Sequence, residues 1–323
     1  MCAEEMTPED ILEGIRTMRI RGAAEIGREA ALAMRLFAER ELETDIDRYL
    51  RKIEEFRAKA LATRPTAVTL WSGLTRTLRG VSEAGSSEKV LEIIKENSEQ
   101  FIDDSQSAIE QIAEMAARRI PENAVILTHC NSSAVVAAIA KAHEMGKVKM
   151  VIATESRPKL QGRITIKELS EKGVPLTYIV DSAVRHHMRL VDIVLVGADT
   201  IASNGAVINK IGTSQIALIA HERRVPFIVC AETYKFSPQT FHGGLVTIEE
   251  REPSEIMDPK DYPSVKISNP VFDATPAEYI DAIITEVGVI PPTAAYEIVV
   301  HNFGIDALKN EDSKERMIDD LEG

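Results

Sequence analysis

The amino-acid sequence predicts a two-part α/β protein: an all-helical domain over residues 1–120, then a Rossmann-like, doubly wound parallel sheet domain over residues 121–323. Two observations carry this. From Thr7 to about Arg119, apolar residues recur every three to four positions with charges between them, the period of a helix face. After Pro121 the rhythm changes to short apolar runs alternating with amphipathic stretches, the βαβ pattern of a parallel sheet covered on both sides.

The helical elements are "TPEDILEGIRTM" (7–18), "AAEIGREAALAMRLFAER" (23–40), "DIDRYLRKIEEFRAKALAT" (45–63) and "SEKVLEIIKENSEQFIDDSQSAIEQIAEMAARR" (87–119). The last is long enough to bridge two domains, and Pro121 ends it. Strands are expected in "AVILTHC" (124–130), "KMVIATES" (149–156), "PLTYIVD" (175–181), "DIVLVGADT" (192–200) and "PFIVCAE" (226–232). Helices are expected between them at about 132–145, 161–172, 182–190 and 213–224, with Ser132 or Ser133 capping the first. The end of the chain, "KNEDSKERMIDDLEG", reads as a charged, frayed helix.

Composition narrows the function. The chain has 323 residues, enough for two domains that each bury a core. A formal net charge of −13 argues against nucleic acid or an anionic membrane as the main partner. No run approaches the roughly 18 apolar residues of a membrane span, and the first residues lack the basic start and apolar core of a signal peptide. Three scattered cysteines, Cys2, Cys130 and Cys230, imply no disulfide framework and fit a reducing cytoplasm. Neither G-x-G-x-x-G nor G-x-x-x-x-G-K-[ST] follows any strand, which disfavours a dinucleotide or ATP, and the histidines show no H-E-x-x-H.

What remains is a set of strand ends, where open α/β sheets place their ligands. Cys130 sits where one strand gives out, among the polar residues His129, Asn131, Ser132 and Ser133. The helix start just beyond it is expected to favour thiolate over thiol. Asp199 emerges from the apolar run 193–196, a low-dielectric wall expected to keep its proton available near neutral pH. Asn209 and Lys210 precede a helix capped near Thr213, whose free backbone N–H groups would join the lysine in a phosphate site. Arg21 and Gly22 stand at another helix start, Arg64 is held extended by Pro65, and Lys235 lies beyond a further strand end. Cys230, preceded by the apolar "VPFIV", reads as core packing.

Taken together, "RGAAEIG", "RPTAV", "THCNS", "ESRPKLQGR", "VGADTIASNGAVINKIGT" and "FDATPAEYIDAIITEVGVI" resemble one superfamily. It comprises the aldose–ketose isomerases acting on methylthioribose 1-phosphate or ribose 1,5-bisphosphate, and the regulatory subunits of the translation-initiation nucleotide-exchange factor 2B. The translation-factor subunits typically lack the cysteine after the strand, so Cys130 favours an enzyme over an interaction subunit. The segments 234–252 and 272–298 look more like the ribose-1,5-bisphosphate isomerase branch, and Arg21, Arg64, Lys210 and Lys235 supply cations for two phosphates. The resemblance implies catalysis by Cys130 and Asp199, with substrate held by Arg21, Gly22, Ala23, Ala24, Arg64, Asn131, Ser132, Asn209, Lys210 and Lys235. It implies no metal or organic cofactor and pairing through the C-terminal domain into a homodimer or larger even-numbered assembly. The implied setting, nucleoside monophosphate degradation, makes a nucleotide effector reasonable, although no effector motif is visible.

Overall fold

The computed structural model describes residues 6–240 and 248–303; the sequence-based helix at 309–323 lies outside them. Five helices come first: α1 Pro8–Arg16, α2 Ala23–Arg40, α3 Ile46–Thr63, α4 Val68–Thr77 and α5 Ser87–Arg119. Their ends follow local chemistry. Thr7 accepts from the Asp10 amide while Asp10 accepts from the Thr7 amide, a capping box, and Asp45 and Ser86 accept from the third amides of α3 and α5. The fourth helix was not expected from the sequence. It packs between α2 and α5, burying residues around its circumference rather than along one stripe.

The second half continues β1 Ala124–Thr128, α6 Ser133–Glu144, β2 Val148–Thr154, α7 Gly162–Glu171, β3 Leu176–Ile179, α8 Val184–His187 and β4 Ile193–Val196. It then runs through β5 Thr200–Ile201, β6 Val207–Lys210, α9 Thr213–Arg223, β7 Phe227–Cys230, β8 Phe272–Thr275, β9 Ala282–Thr285, β10 Gly288–Ile290 and α10 Ala295–Phe303. The main sheet has the order β10-β9-β7-β4-β1-β2-β3 and is parallel except for the edge strand β10. The sequence-based loop 201–215 is in part a strand: β6 pairs antiparallel with β5 and with β8 in a small second sheet. The helix expected at 182–190 is broken, with α8 flanked by two 3-10 turns.

Both faces of the main sheet are covered, and the central strands show it residue by residue. Val125 and Leu127 of β1, with Val194 and Val196 of β4, join a core that includes Ile216, Ala217 and Ala220 of α9. Their alternates Ala124, Ile126, Ile193 and Leu195 join a core with α6 and the last turns of α5. The period-2 alternation explains why continuous apolar runs, rather than alternating ones, mark these strands. Helix α5, about 50 Å long at 1.5 Å per residue, places Val90 and Ile94 in the helical core and Ile112 to Ala117 in the sheet core. It is the shared beam of the two halves. No helix among the described residues is long and apolar enough to cross a membrane.

Lys147 secures the end of that beam. Its Nζ donates to the carbonyls of Ala117, Arg118 and Ile120 at 3.2, 3.1 and 3.0 Å, satisfying the orphan acceptors at the α5 C-terminus with a favourable charge. Lys147→Met keeps the aliphatic stem and removes these bonds. It is expected to destabilise the protein by about 2 kcal/mol, read as a lower denaturation midpoint at unchanged slope; an unaltered midpoint would show that the contacts are not worth their desolvation.

Candidate active site

In the main sheet β1 has β2 on one side and β4 on the other, so the chain leaves these two strands in opposite directions and opens a crevice beyond their carboxyl ends. Cys130 follows β1 and Asp199 follows β4, which brings both to this crevice. A cavity of about 330 Å³ lies there, lined by Arg21, Gly22, Ala23, Ala24, Arg64, Cys130, Asn131, Ser132, Asp199, Asn209, Lys210 and Lys235. The volume falls in the range of small-molecule pockets. Each of the twelve residues singled out in the sequence reaches it. The α2 start and Arg64 come from the helical half and the rest from the sheet half.

The cysteine is held in a costly conformation. Its φ is 66°, in the left-handed region that non-glycine residues enter at a cost of about 1–3 kcal/mol. The surroundings over-determine it: the Cys130 N–H donates to Ser156 Oγ at 2.7 Å and its carbonyl accepts from Thr165 Oγ1 at 2.7 Å. Gly197, at the end of β4, lets this loop come close, because a Cβ there would lie 2.6 Å from Ser132 Oγ and 2.7 Å from its Cβ. Ser132 stands at the N-cap position of α6 but makes no capping hydrogen bond, contrary to expectation, because its side chain lies against Gly197 instead. Asn131 donates to Thr165 Oγ1 at 3.1 Å.

The environment also corrects the expected charge on Cys130. Burial pushes the thiol above its ordinary range, and the nearby Lys210 ammonium only partly pulls it back. Loss of water around the half-buried side chain thus outweighs the lysine and the Asn131 amide. Buried His129 cannot serve as its base in this arrangement: Nε2 lies 2.9 Å from the Ile211 carbonyl and Nδ1 2.6 Å from Thr154 Oγ1, so both ring nitrogens are engaged. The Ile211 carbonyl can only accept, which assigns the proton to Nε2. Burial further lowers the pKa of this ring.

A second correction concerns the phosphate-binding amides. The start of α9 is already occupied: Gly212 and Ser214 N–H groups donate to Asp273 at 2.7 and 3.1 Å. Burial raises the pKa of this carboxyl to about 6, although both amides favour its charged form. Thr213 does not cap the helix either; its hydroxyl donates to the Lys210 carbonyl at 2.6 Å and accepts from Asn209 Nδ2 at 3.1 Å, fixing the Asn209–Lys210 pair. Helix starts without a side-chain cap do line the cavity, at α2, α6 and α7. At α2 the N-cap is Gly22 with φ 97°, a conformation that suits glycine and presents the amides of Ala23 and Ala24 at the helix's positive end.

Arg21 is exposed at the rim, whereas the other three cations are enclosed and partnered. Lys210 lies on β6, its Nζ 4.9 Å from the centroid of Phe272, and burial pulls its pKa down while Cys130 and Asp199 pull it up. Lys235 lies 2.6 Å from Glu232 in an ion pair whose side chains are 5% and 1% exposed. Arg64 pairs with Glu249 at 3.0 Å. The sequence reading missed Arg251, Gln161, Arg28 and Glu168, which also line the cavity. Gln161, Arg28 and Arg251 lie inside or beside stretches singled out in the sequence for the resemblance, whereas Glu168 lies in none of them.

A doubly wound sheet with a strand-end pocket, lined by cations from both halves and by uncapped helix starts, defines an α/β protein with its candidate site at the sheet's switch point. More particularly, the chain belongs to the initiation factor 2 subunit family, whose model matches residues 19–292. It is 48% identical over 309 residues to a ribose 1,5-bisphosphate isomerase of Archaeoglobus fulgidus, covering 94% of this chain and 97% of that one. Its fold superposes on a 5-methylthioribose 1-phosphate isomerase from Pyrococcus horikoshii with a TM-score of 0.76 at 31% identity, covering 93% and 88% of the two chains. A translation initiation factor eIF-2B from the same organism gives a TM-score of 0.75 at 32% identity, covering 88% of this chain and 97% of that one.

Proposed function

We propose that the protein isomerises ribose 1,5-bisphosphate to ribulose 1,5-bisphosphate, with Cys130 as base and Asp199 as acid. The observation that carries this reading is the convergence of Cys130, Asp199 and a surplus of cations on one cavity. The 48% identity to an enzyme named for that substrate supports it. With the anomeric oxygen phosphorylated, the sugar ring cannot open through a free hemiacetal. The Cys130 thiolate takes the C2 proton, the C2–H electrons form a C1–C2 double bond, and the C1–ring-oxygen bond breaks as Asp199 protonates that oxygen. The resulting enol phosphate takes the proton back at C1 while the C2 hydroxyl gives its proton to the Asp199 carboxylate, leaving a C2 ketone. Composition is unchanged, as an isomerisation requires.

Arg21, Arg64, Lys210 and Lys235, with the amides of Ala23 and Ala24, would hold the two phosphates. Asn131, Ser132 and Asn209 would hold sugar oxygens. The same reading puts the protein in the cytoplasm, in nucleoside monophosphate degradation, as an even-numbered homo-oligomer open to a nucleotide effector. The deciding assay compares substrates. Turnover of ribose 1,5-bisphosphate is expected to exceed that of methylthioribose 1-phosphate at least tenfold in kcat/KM, since one lost charged contact costs about 1.5–3 kcal/mol. Equal rates would overturn the bisphosphate assignment, and no turnover of either would favour an interaction subunit.

A further inference from the structure

Arg251 lies in the segment 234–252 but was given no role in the site, yet it is mounted on the same framework as Lys210. Its N–H donates to the Asn269 carbonyl at 3.0 Å, and the Val271 N–H donates to the Glu249 carbonyl at 3.0 Å, so residues 249–251 run antiparallel to 269–271. The chain continues directly into β8, where Phe272 pairs with Lys210 and Asp273 with Asn209. Backbone hydrogen bonds therefore fix Arg251 relative to Lys210 across the small sheet.

Its side chain is 8% exposed and that of Arg64 is 12%, and one carboxylate joins them across the two halves. Glu249 Oε1 accepts from Arg251 Nε at 2.7 Å and Oε2 accepts from Arg64 Nη2 at 3.0 Å. Burial works against the Glu249 carboxylate, but the Arg251 hydrogen bond and the Arg64 charge outweigh it, so its pKa lies below the ordinary range. Each guanidinium carries five N–H donors and spends few of them here, leaving the rest for a ligand. Lys210, whose ammonium both arginines disfavour, adds a third cation to the group. The carboxyl group of Asp199, the proposed proton donor, acts on Lys210 in the opposite sense and favours its ammonium. Two guanidinium groups on Glu249, lining one cavity with the Lys210 ammonium, make a pocket that is unfavourable when empty and suited to a phosphate dianion, whose oxygens match the arginine forks.

We infer that Arg251 binds a phosphate of the substrate together with Arg64 and Lys210, and that Glu249 positions the two guanidinium groups for it. This rests on the sugar-bisphosphate reading above and extends it to a residue that helps select a bisphosphate. Arg251→Met is expected to raise KM for ribose 1,5-bisphosphate about 30-fold with kcat changed less than about threefold, and to weaken competitive inhibition by inorganic phosphate by a similar factor. Arg251→Lys keeps the charge but not the fork, and should raise KM about fivefold or more. Glu249→Gln should raise KM while sparing kcat, a split that a general loss of stability would not produce.

A wild-type KM and phosphate inhibition in folded Arg251→Met would overturn the inference. If that variant does not fold, a wild-type KM in Arg251→Lys would do so instead. Failure of the isomerase reading is distinguishable, because thermal stabilisation by inorganic phosphate needs no turnover. If the wild-type protein turns over no sugar bisphosphate yet loses phosphate stabilisation in Arg251→Lys or Arg251→Met, the anion site stands and only the reaction is wrong.

Discussion

Cys130→Ser is expected to lower turnover of ribose 1,5-bisphosphate about 100-fold or more without unfolding the protein, the size of effect that follows loss of a general base. A hydroxyl nearly preserves shape, and both hydrogen bonds that hold the residue at φ 66° use its backbone, so the loop geometry should survive. What changes is acidity: a serine is far harder to ionise than a thiol. Exchange of the substrate C2 hydrogen for solvent deuterium should fall in step with turnover. Cys230→Ser is the control. Cys230 is fully buried, with its pKa pushed up to about 12 by burial, so a hydroxyl there costs stability while leaving the reaction intact. Near-normal turnover in Cys130→Ser, with a folded but inactive Cys230→Ser, would mean that the wrong thiol has been assigned.

That Cys130 and Asp199 would share one crevice was legible in the sequence because their placement rests on topology. Strand ends can be read from apolar runs, and Cys130 and Asp199 reach one crevice because β1 and β4 are neighbours at the switch point. Helices α2 and α5 were legible for a different reason: each has a charged side and an apolar side, and their observed bounds match the periodic stretches. Helix α4 has no such contrast. "VTLWSGLTRT" mixes β-branched residues with glycine and is buried around most of its surface, so its conformation is decided by α2 and α5. Strand β6 was hidden by the turn residues Ser203, Asn204 and Gly205 before it, which read as loop and in fact make the turn of a hairpin with β5.

The misreadings at the site share one cause. Charge states and capping partners are set by groups distant in sequence, as with Asp273 on the α9 amides and Glu249 between Arg64 and Arg251. The direction of the Cys130 shift depends on how much water the assembled halves exclude, and no local pattern carries that. A helix start beside a cysteine is a local signal, whereas the burial that raises this thiol is not.

Lys210→Met is expected to lower kcat/KM at neutral pH about 1000-fold, because this lysine has two roles that fail together. As a phosphate contact it is worth about 1.5–3 kcal/mol, and as the cation that draws the Cys130 thiol down it sets how much thiolate exists. The sign can be worked out. Burial already holds the thiol above its ordinary range, so activity should climb as pH rises toward that pKa; without the ammonium the thiol rises further, and the climb moves to higher pH. The loss relative to wild type should therefore shrink as the assay pH is raised. A loss constant across pH would remove the electrostatic role and leave only phosphate binding. Stability should move the other way. Burial depresses the Lys210 pKa, so the native state binds this proton less readily than the unfolded chain does. Near neutral pH that ammonium counts against folding, and its contribution improves as pH rises. Methionine fills the space beside Phe272 without a charge to desolvate, so Lys210→Met should melt no lower than wild type while losing most of its activity. A variant that loses both in parallel would show that Lys210 serves the fold rather than the reaction.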